Sequence, residues 1–388
     1  MQPPKHILPV IVVAQFFCTS LWFAGNGVLV SLIGHFNLGV NSFGNITSAV
    51  QFGFIMGTLL FAVLTLTDRF SPSKVFLWCA ILGACFNLGI VWEGNNWTSI
   101  LIFRFMTGFF LAGIYPVGMK IAADYFDKGL GKSLGYLVGA LVLGTALPHF
   151  LKWLTALFLW QYVIYATSAL AFFGGLLMVL LVPNGPYRKP SQHIDFTAFF
   201  SIFKKKDFRA AAFGYFGHMW ELYTFWTFVP ALLALHAEQQ GHNLFRVSFW
   251  SFWVIAIGGL ACILGGYIAQ RNGTKRTASI FLFLSGCCCL LVPLVSLYAT
   301  TPVFTLFLLF WGIVVIADSP LFSTLVAQSA PPELKGTALT IVNCIGFAIT
   351  IISIQLMITL QGTNYSFWPF LLLALGPLFG LIALLKKP

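Results

Sequence analysis

The sequence predicts an all-α polytopic membrane protein, with twelve transmembrane helices arranged as two pseudo-symmetric six-helix bundles. Three observations predict it. Of 388 residues, 59% are apolar and 8% charged, against about 25% charged in soluble domains. Apolar windows of about 20 residues, the length that crosses a bilayer, recur twelve times. One long polar connection, Pro183 to Arg209, separates the sixth window from the seventh.

The spans read as 7–34, 42–67, 73–93, 97–124, 132–152, 157–182, 208–236, 247–269, 276–298, 302–328, 336–361 and 364–385. Little chain remains outside them, so no sizeable soluble domain is expected. The organisation is an N-terminal bundle over 1–182, a cytoplasmic linker over 183–207 and a C-terminal bundle over 208–388. Lys5 precedes an apolar run too long for a signal-peptide core and is followed by further spans, so no cleavable signal is expected.

The net charge of +11 is distributed by topology and is not a nucleic-acid signal. With the N-terminus inside, Lys5, Arg69, Lys74, Lys128, Lys132, Arg188, Lys189, Lys204, Lys205, Lys206, Arg209, Arg271, Lys275, Arg276, Lys335, Lys386 and Lys387 share one side. The opposite loops hold only Lys152 and Arg246. That asymmetry places both termini in the cytoplasm. The Lys204–Lys206 cluster also falls where anionic headgroups attract cations. The eight cysteines all lie within spans, none at metal-ligand spacing with a histidine. No metal, cofactor or nucleic-acid partner is expected.

Polar residues inside the spans mark the candidate site, because a charge at the bilayer centre costs roughly 2.5–3.5 kcal/mol on insertion scales. In span 1, Gln15, Thr19, Trp22 and Asn26 are spaced 4, 3 and 4, forming one stripe of a helix. Solute contact and interhelical bonding are both open to such a stripe. Span 4 carries Arg104 near its outer third, with Tyr115 nearly on the same face. An arginine there can fork onto an anionic solute, balance a carboxylate such as Glu221, or snorkel to the headgroups. Lys120 points the other way near the cytoplasmic end and reads as snorkelling.

Span 7 carries Glu221 near its middle, with His218 one turn earlier on the same face and Trp220 beside it. Glu221 and His218 suit proton loading and release, or form a structural hydrogen-bonded pair. Span 10 holds Asp318 just before Pro320, and a proline frees backbone groups that can line a cavity. Span 11 contributes Asn343. Glu221, His218 and Asp318 are thus the candidate proton-coupling residues. Arg104, Gln15, Trp22, Asn26, Tyr115, Trp220 and Asn343 are the candidate solute contacts.

The two halves show weak self-similarity at an offset of 202–205 residues. Asp68-Arg69 after span 2 answers Gln270-Arg271 after span 8. Tyr115-Pro116 in span 4 answers Ser319-Pro320 in span 10. Gly131-Lys132 answers Lys335-Gly336. Two parallel repeats with the site between them are a known transporter plan.

These residues resemble the major facilitator superfamily over essentially the whole chain. Its loop 2–3 motif, Gly-x-x-x-Asp-Arg-x-Gly-Arg-Arg/Lys, is matched at the Asp68-Arg69 core, without the first glycine, the second glycine or the arginine after it. The second-half copy reads Gly266-Tyr-Ile-Ala-Gln270-Arg271-Asn-Gly273, with Gln for Asp. Arg104, Gly108 and Ala112 fit the span 4 pattern Arg-x-x-x-Gly-x-x-x-Ala. Within the family the chain resembles bacterial permeases loosely labelled nitrate/nitrite-like, through Gly217-His218-Met219-Trp220-Glu221-Leu222-Tyr223 and through Ala317-Asp318-Ser319-Pro320 with Pro331-Pro332-Glu333. It lacks the paired span 2 and span 8 arginines of nitrate carriers and the Gly-Pro antiporter motif of span 5.

The resemblance implies that Asp68, Arg69 and Arg271 gate alternating access. It implies a proton-coupled secondary transporter of a small organic solute, anionic or zwitterionic, working as a monomer in the bacterial inner membrane, with symport favoured. The alternatives are a proton antiporter exporting a drug or metabolite, or more distantly a solute-sensing receptor or membrane enzyme. No acidic metal cluster, Ser-His-Asp set or phosphate loop supports an enzyme.

Overall fold

In lipid, backbone N–H and C=O groups must pair within the chain, so a sequence this apolar folds into helices. The computed structural model describes residues 4–39, 42–126, 130–155, 158–188, 202–241, 246–331, 334–362 and 366–385, with the side chains of 42, 43, 68 and 130–132 outside that description. Lys128, Lys189, Pro332, Glu333, Lys386 and Lys387, and the side chains of Asp68 and Lys132, therefore lie outside the described residues. Among the described residues every regular element is helical.

Among the described residues ten helices are long and apolar enough to cross a membrane. The other two crossings are spans 1 and 7, the two carrying most of the polar stations. Span 1 is broken into Ile7–Thr19, Ala24–Gly27 and Leu29–His35, where one helix over 7–34 was expected. Span 7 is a single 34-residue helix, Lys206–Gln239, which begins two residues before its expected start. The remaining spans are Ser42–Val63, Pro72–Gly89, Trp97–Leu111 with Tyr115–Tyr125, Leu130–Leu154, Gln161–Leu181, Val247–Asn272, Thr274–Tyr298, Thr301–Ala317 with Ser319–Ser329, Lys335–Gln361, and Trp368–Ala374 running into Leu375–Leu385. Local chemistry sets several starts. Pro72 opens span 3 at the first helical turn, where its missing N–H costs nothing. Asn96 and Ser99 form a reciprocal capping box at the head of span 4.

The chain forms two compact units, Met1–His193 and Ile194–Pro388. Within each, packing partners repeat: span 2 lies on span 4 as span 8 lies on span 10, span 3 on span 6 as span 9 on span 12, and span 1 on spans 5 and 6 as span 7 on spans 11 and 12. The repeat reaches single residues. A Cβ on Gly108 would sit 2.0 Å from the carbonyl oxygen of Val50, and one on Gly312 would sit 1.9 Å from that of Val254. Gly108 and Gly312, like Val50 and Val254, are 204 residues apart in the sequence. Small residues let helix backbones touch in this way.

Both span 4 and span 10 break beside the paired prolines, Pro116 and Pro320. Span 4 stops at Leu111 and restarts at Tyr115 with Pro116; span 10 stops at Ala317 and restarts at Ser319 with Pro320. Asp318 therefore occupies a junction between two helices, where a position inside one was expected, because a proline cannot donate to the ladder behind it. The start of the expected linker packs onto the first unit. Ser73 donates to the Val182 carbonyl, Ser71 to Asn184 Oδ1, Tyr125 to the Pro183 carbonyl, and Arg188 to the carbonyls of Thr67 and Phe70.

Candidate functional site

In the second unit, the acidic residues of spans 7 and 10 have different surroundings. Glu221 is buried and accepts the Trp311 indole N–H on Oε1 at 2.6 Å and the Ser285 hydroxyl on Oε2 at 2.9 Å, with the Cys289 thiol as a third neutral partner. The indole stacks on Phe225, ring centroids 4.3 Å apart. One carboxylate thus draws together spans 7, 9 and 10.

His218 shares a helix face with Glu221 but turns to a different partner. Its Nδ1 lies 2.8 Å from Asp318 Oδ1, and both side chains are buried. His218 Nε2 and Asp318 Oδ2 have no hydrogen-bond partner among the described residues. The imidazole sits between Tyr215 and Phe322, and the Tyr215 hydroxyl donates to Asn343 Oδ1 at 2.5 Å. Asn343, Tyr215, His218 and Asp318 are therefore neighbours across spans 7, 10 and 11. Trp220 lies on another face and donates its indole to the Leu372 carbonyl of span 12.

In the first unit, Arg104 is completely buried, so it does not snorkel to headgroups. Nη2 donates to the carbonyls of Leu21 at 3.1 Å and Trp22 at 2.5 Å, and Nη1 to Asn87 Oδ1 at 3.1 Å, while Nε has no partner among the described residues. Asn87 in turn donates to Thr167 and Ser168 of span 6. This explains the break in span 1. Residues 20–22 tighten to i→i−3 bonding, and the carbonyls of Trp22 and of Leu21, which also accepts the Ala24 N–H, are bonded by a guanidinium more than 80 residues away. The expected stripe of span 1 is consequently divided. Gln15 lies against Gly118 of span 4, where a Cβ would come within 2.2 Å of its Oε1. Trp22 packs on Phe54, and Asn26 donates to Thr47 Oγ1 at 2.7 Å, both in span 2.

Thr47, Gln51, Phe54 and Thr58 fall on one face of span 2 at helical spacing. Gln51 and Gln15 are both fully buried, and neither side-chain nitrogen nor oxygen has a hydrogen-bond partner among the described residues. Gln51, Ser285, Asn87 and Tyr215 were not singled out from the sequence. For Gln51 the signal was available as a polar residue at a buried helical register; Ser285 and Asn87 are too ordinary in helices to stand out. Tyr115 is half-buried at the first residue after the span 4 break.

Arg69 closes the short helix Leu66–Arg69, entered through Thr65 at φ +48°, and its side chain is exposed. Arg271 lies exposed at the end of span 8, before Gly273 at φ +88°. The side chain of Asp68 is not among those described. Among the described residues no group of three His, Cys, Asp or Glu comes together to hold a metal ion.

A helical membrane chain with internal two-fold repetition, buried carboxylates and broken fourth and tenth spans is the architecture of a secondary transporter. Residues 11–354 match the profile of the Major Facilitator Superfamily, and the chain belongs to that family: it is a multi-pass membrane transporter and not an enzyme. It is 25% identical over 355 residues to a Haemophilus influenzae protein named, by inference, for metabolite transport, taking in 83% of this chain and 80% of that one. Its fold is shared with a D-xylose–proton symporter (TM-score 0.77, 16% identity, 98% of this chain and 96% of that chain). It is shared also with the proton:xylose symporter XylE bound to 6-bromo-6-deoxy-D-glucose (TM-score 0.75, 14% identity, 97% and 94%). A variant of the nucleoside transporter NupG has it too (TM-score 0.72, 16% identity, 98% and 100%).

Proposed function

We propose that this transporter couples a small organic solute to protons by alternating access, as a symporter, with Glu221 and the His218–Asp318 pair carrying the proton. The supporting observation is the setting of Glu221. Its carboxyl group is buried and held by the neutral donors Trp311, Ser285 and Cys289, with no cation bonded to it among the described residues, so taking up or losing a proton changes the local charge by a whole unit. Such a change must be felt by whatever helices supply the donors. His218 against Asp318 provides a second acid–base pair a turn away. Asp68, Arg69 and Arg271 are assigned to gating. The proposed setting is a bacterial inner membrane with both termini cytoplasmic, and the proposed working unit is a monomer.

The solute class has two readings. An anion or zwitterion would use Arg104, of which Nε is the group left over. The second reading is favoured by the three acceptors already on that guanidinium and by the buried amides of Gln15 and Gln51, which have no hydrogen-bond partner among the described residues. There Arg104 braces the break in span 1, and a neutral hydroxyl- or carbonyl-bearing solute pairs with the amides. Xylose and nucleosides, named for the fold relatives, have this chemistry, although the amides and not that likeness of fold carry the reading.

The test uses purified protein in proteoliposomes with a trapped pH dye, offered neutral polyols, nucleosides, carboxylates and zwitterions one at a time. Acidification of the lumen with a solute supports symport and identifies its class. Alkalinisation assigns antiport instead. Coupling by Glu221 is refuted if Glu221→Gln transports that solute with an unchanged pH signal.

A further inference from the structure

We infer that the end of spans 7, 9, 10 and 12 nearest the basic loops holds the headgroup of an anionic phospholipid, with its chains lying along the outer face of spans 9 and 12. Lys205, Lys206, Asp207, Lys275, Gln328 and Ser329 line a groove of about 630 Å³. It adjoins a second groove of about 920 Å³ through the shared Lys275, Leu325 and Gln328, and this second one is walled by Ile280, Phe283, Leu381 and Leu385. One end is therefore cationic and the other apolar.

Three properties select the occupant. First, Lys205, Lys206, Lys275 and Arg276 outnumber the single carboxylate of Asp207, and all are exposed. A phosphate diester meets net positive charge there, each nearby Lys or Arg adding to its attraction. Second, two long helices, Lys206–Gln239 and Thr274–Tyr298, begin at this groove, and neither N-terminus is capped by a side chain. Their first N–H groups and positive dipole ends face the same region. Third, the adjoining walls are not closed by protein: Ile280, Phe283 and Leu385 are 48%, 57% and 67% exposed. A free phosphate would leave that apolar slot unused, whereas an acyl chain would fill it. The Lys204–Lys206 cluster thus contributes two of its lysines to a defined site, beyond the orientation of the chain.

The experiment titrates the full chain, purified in detergent, with cardiolipin or phosphatidylglycerol, with phosphatidylcholine, and with inorganic phosphate, reading bound lipid by native mass spectrometry and thermal unfolding. The combined variant Lys205→Gln, Lys206→Gln and Lys275→Gln is expected to bind the anionic lipids about tenfold more weakly or worse. Leu325→Trp, which fills the shared wall and keeps every charge, is expected to weaken them as well. A control removing three cations elsewhere, Lys5→Gln, Lys74→Gln and Lys335→Gln, should bind as the unmodified protein does. Equal binding by the groove variant and the unmodified chain overturns the assignment, as does equal binding of phosphatidylcholine. Displacement of the lipid by millimolar phosphate, with Leu325→Trp indifferent, overturns it in favour of a free-phosphate site.

Discussion

Trp311 of span 10 donates its indole N–H to Glu221 of span 7 at 2.6 Å while its ring stacks on Phe225 of the same helix as the acceptor. The bond and the stack are separable, which makes the position informative. Trp311→Phe keeps an aromatic ring and removes the donor. Because the buried carboxylate then loses its indole partner, coupled uptake should fall by about tenfold or more, the value of roughly 1.4 kcal/mol for one such bond. Folded yield should change little. The check is initial uptake under an imposed pH gradient against solute exchange without one; loss confined to the first supports the coupling role.

His218 and Asp318 should behave as one unit. If they share a proton across their 2.8 Å contact, removing either ends its use, and Asp318→Asn with His218→Gln together should cost no more than the worse single change. Multiplicative losses in uptake assays of the two single variants and the double variant would separate their roles.

Arg104→Ala should be a folding defect before it is a transport defect. It takes the guanidinium bonds from the Trp22 carbonyl and the Asn87 amide oxygen in a buried setting and leaves the Leu21 carbonyl only its bond from Ala24, at a cost of about 2–5 kcal/mol. Arg104→Lys keeps the charge but loses the fork. Thermal unfolding measured beside solute affinity distinguishes the readings: a bracing residue lowers Tm in both variants, whereas a pure solute ligand would leave Tm unchanged and lower affinity alone.

Gln51→Leu and Gln15→Met remove amides that have no protein partner among the described residues. Stability should therefore stay level or rise, since an unpaired buried amide is costly. If these amides hold the solute, its KM should climb by about tenfold for each bond lost. Uptake saturation curves with matched Tm values decide it, and an unchanged KM would leave the amides a purely structural role.

Gly108→Ala and Gly312→Ala should fail alike. Each Cβ would land within 2.0 Å of a backbone oxygen, which no rotamer change relieves, so each should cost about 1–3 kcal/mol or more. Gly266→Ala, with open space around the new methyl, is the neutral comparison in a detergent unfolding series.

Much of the scaffold was legible in the chain because long-range order here repeats local order. Apolar length located the spans, and the pairing of Tyr115-Pro116 with Ser319-Pro320 marked the two places where the structure breaks spans 4 and 10. The span 1 break was not legible, since no proline marks it and its cause, Arg104, is distant in sequence. The site was legible as residue types and not as partners. Glu221 and His218 share a face, yet one turns to Trp311 and Ser285 and the other to Asp318, a choice made by packing from spans 9 and 10. Trp220 beside them faces span 12 for the same reason.

The touching backbones at Gly108 and Gly312 carry a mechanical consequence. Most helix pairs are separated by a layer of side chains that can change rotamer, and that layer works as padding. Between spans 2 and 4 the padding is missing at Gly53, Gly57 and Gly108, and between spans 8 and 10 at Gly265 and Gly312. A push on the fourth or tenth span, each already hinged at its break, reaches its neighbour without being absorbed. Each half therefore contains a stiff strut beside a joint, so bending is channelled to residues 112–114 and to Asp318 and is not spread along the bundle.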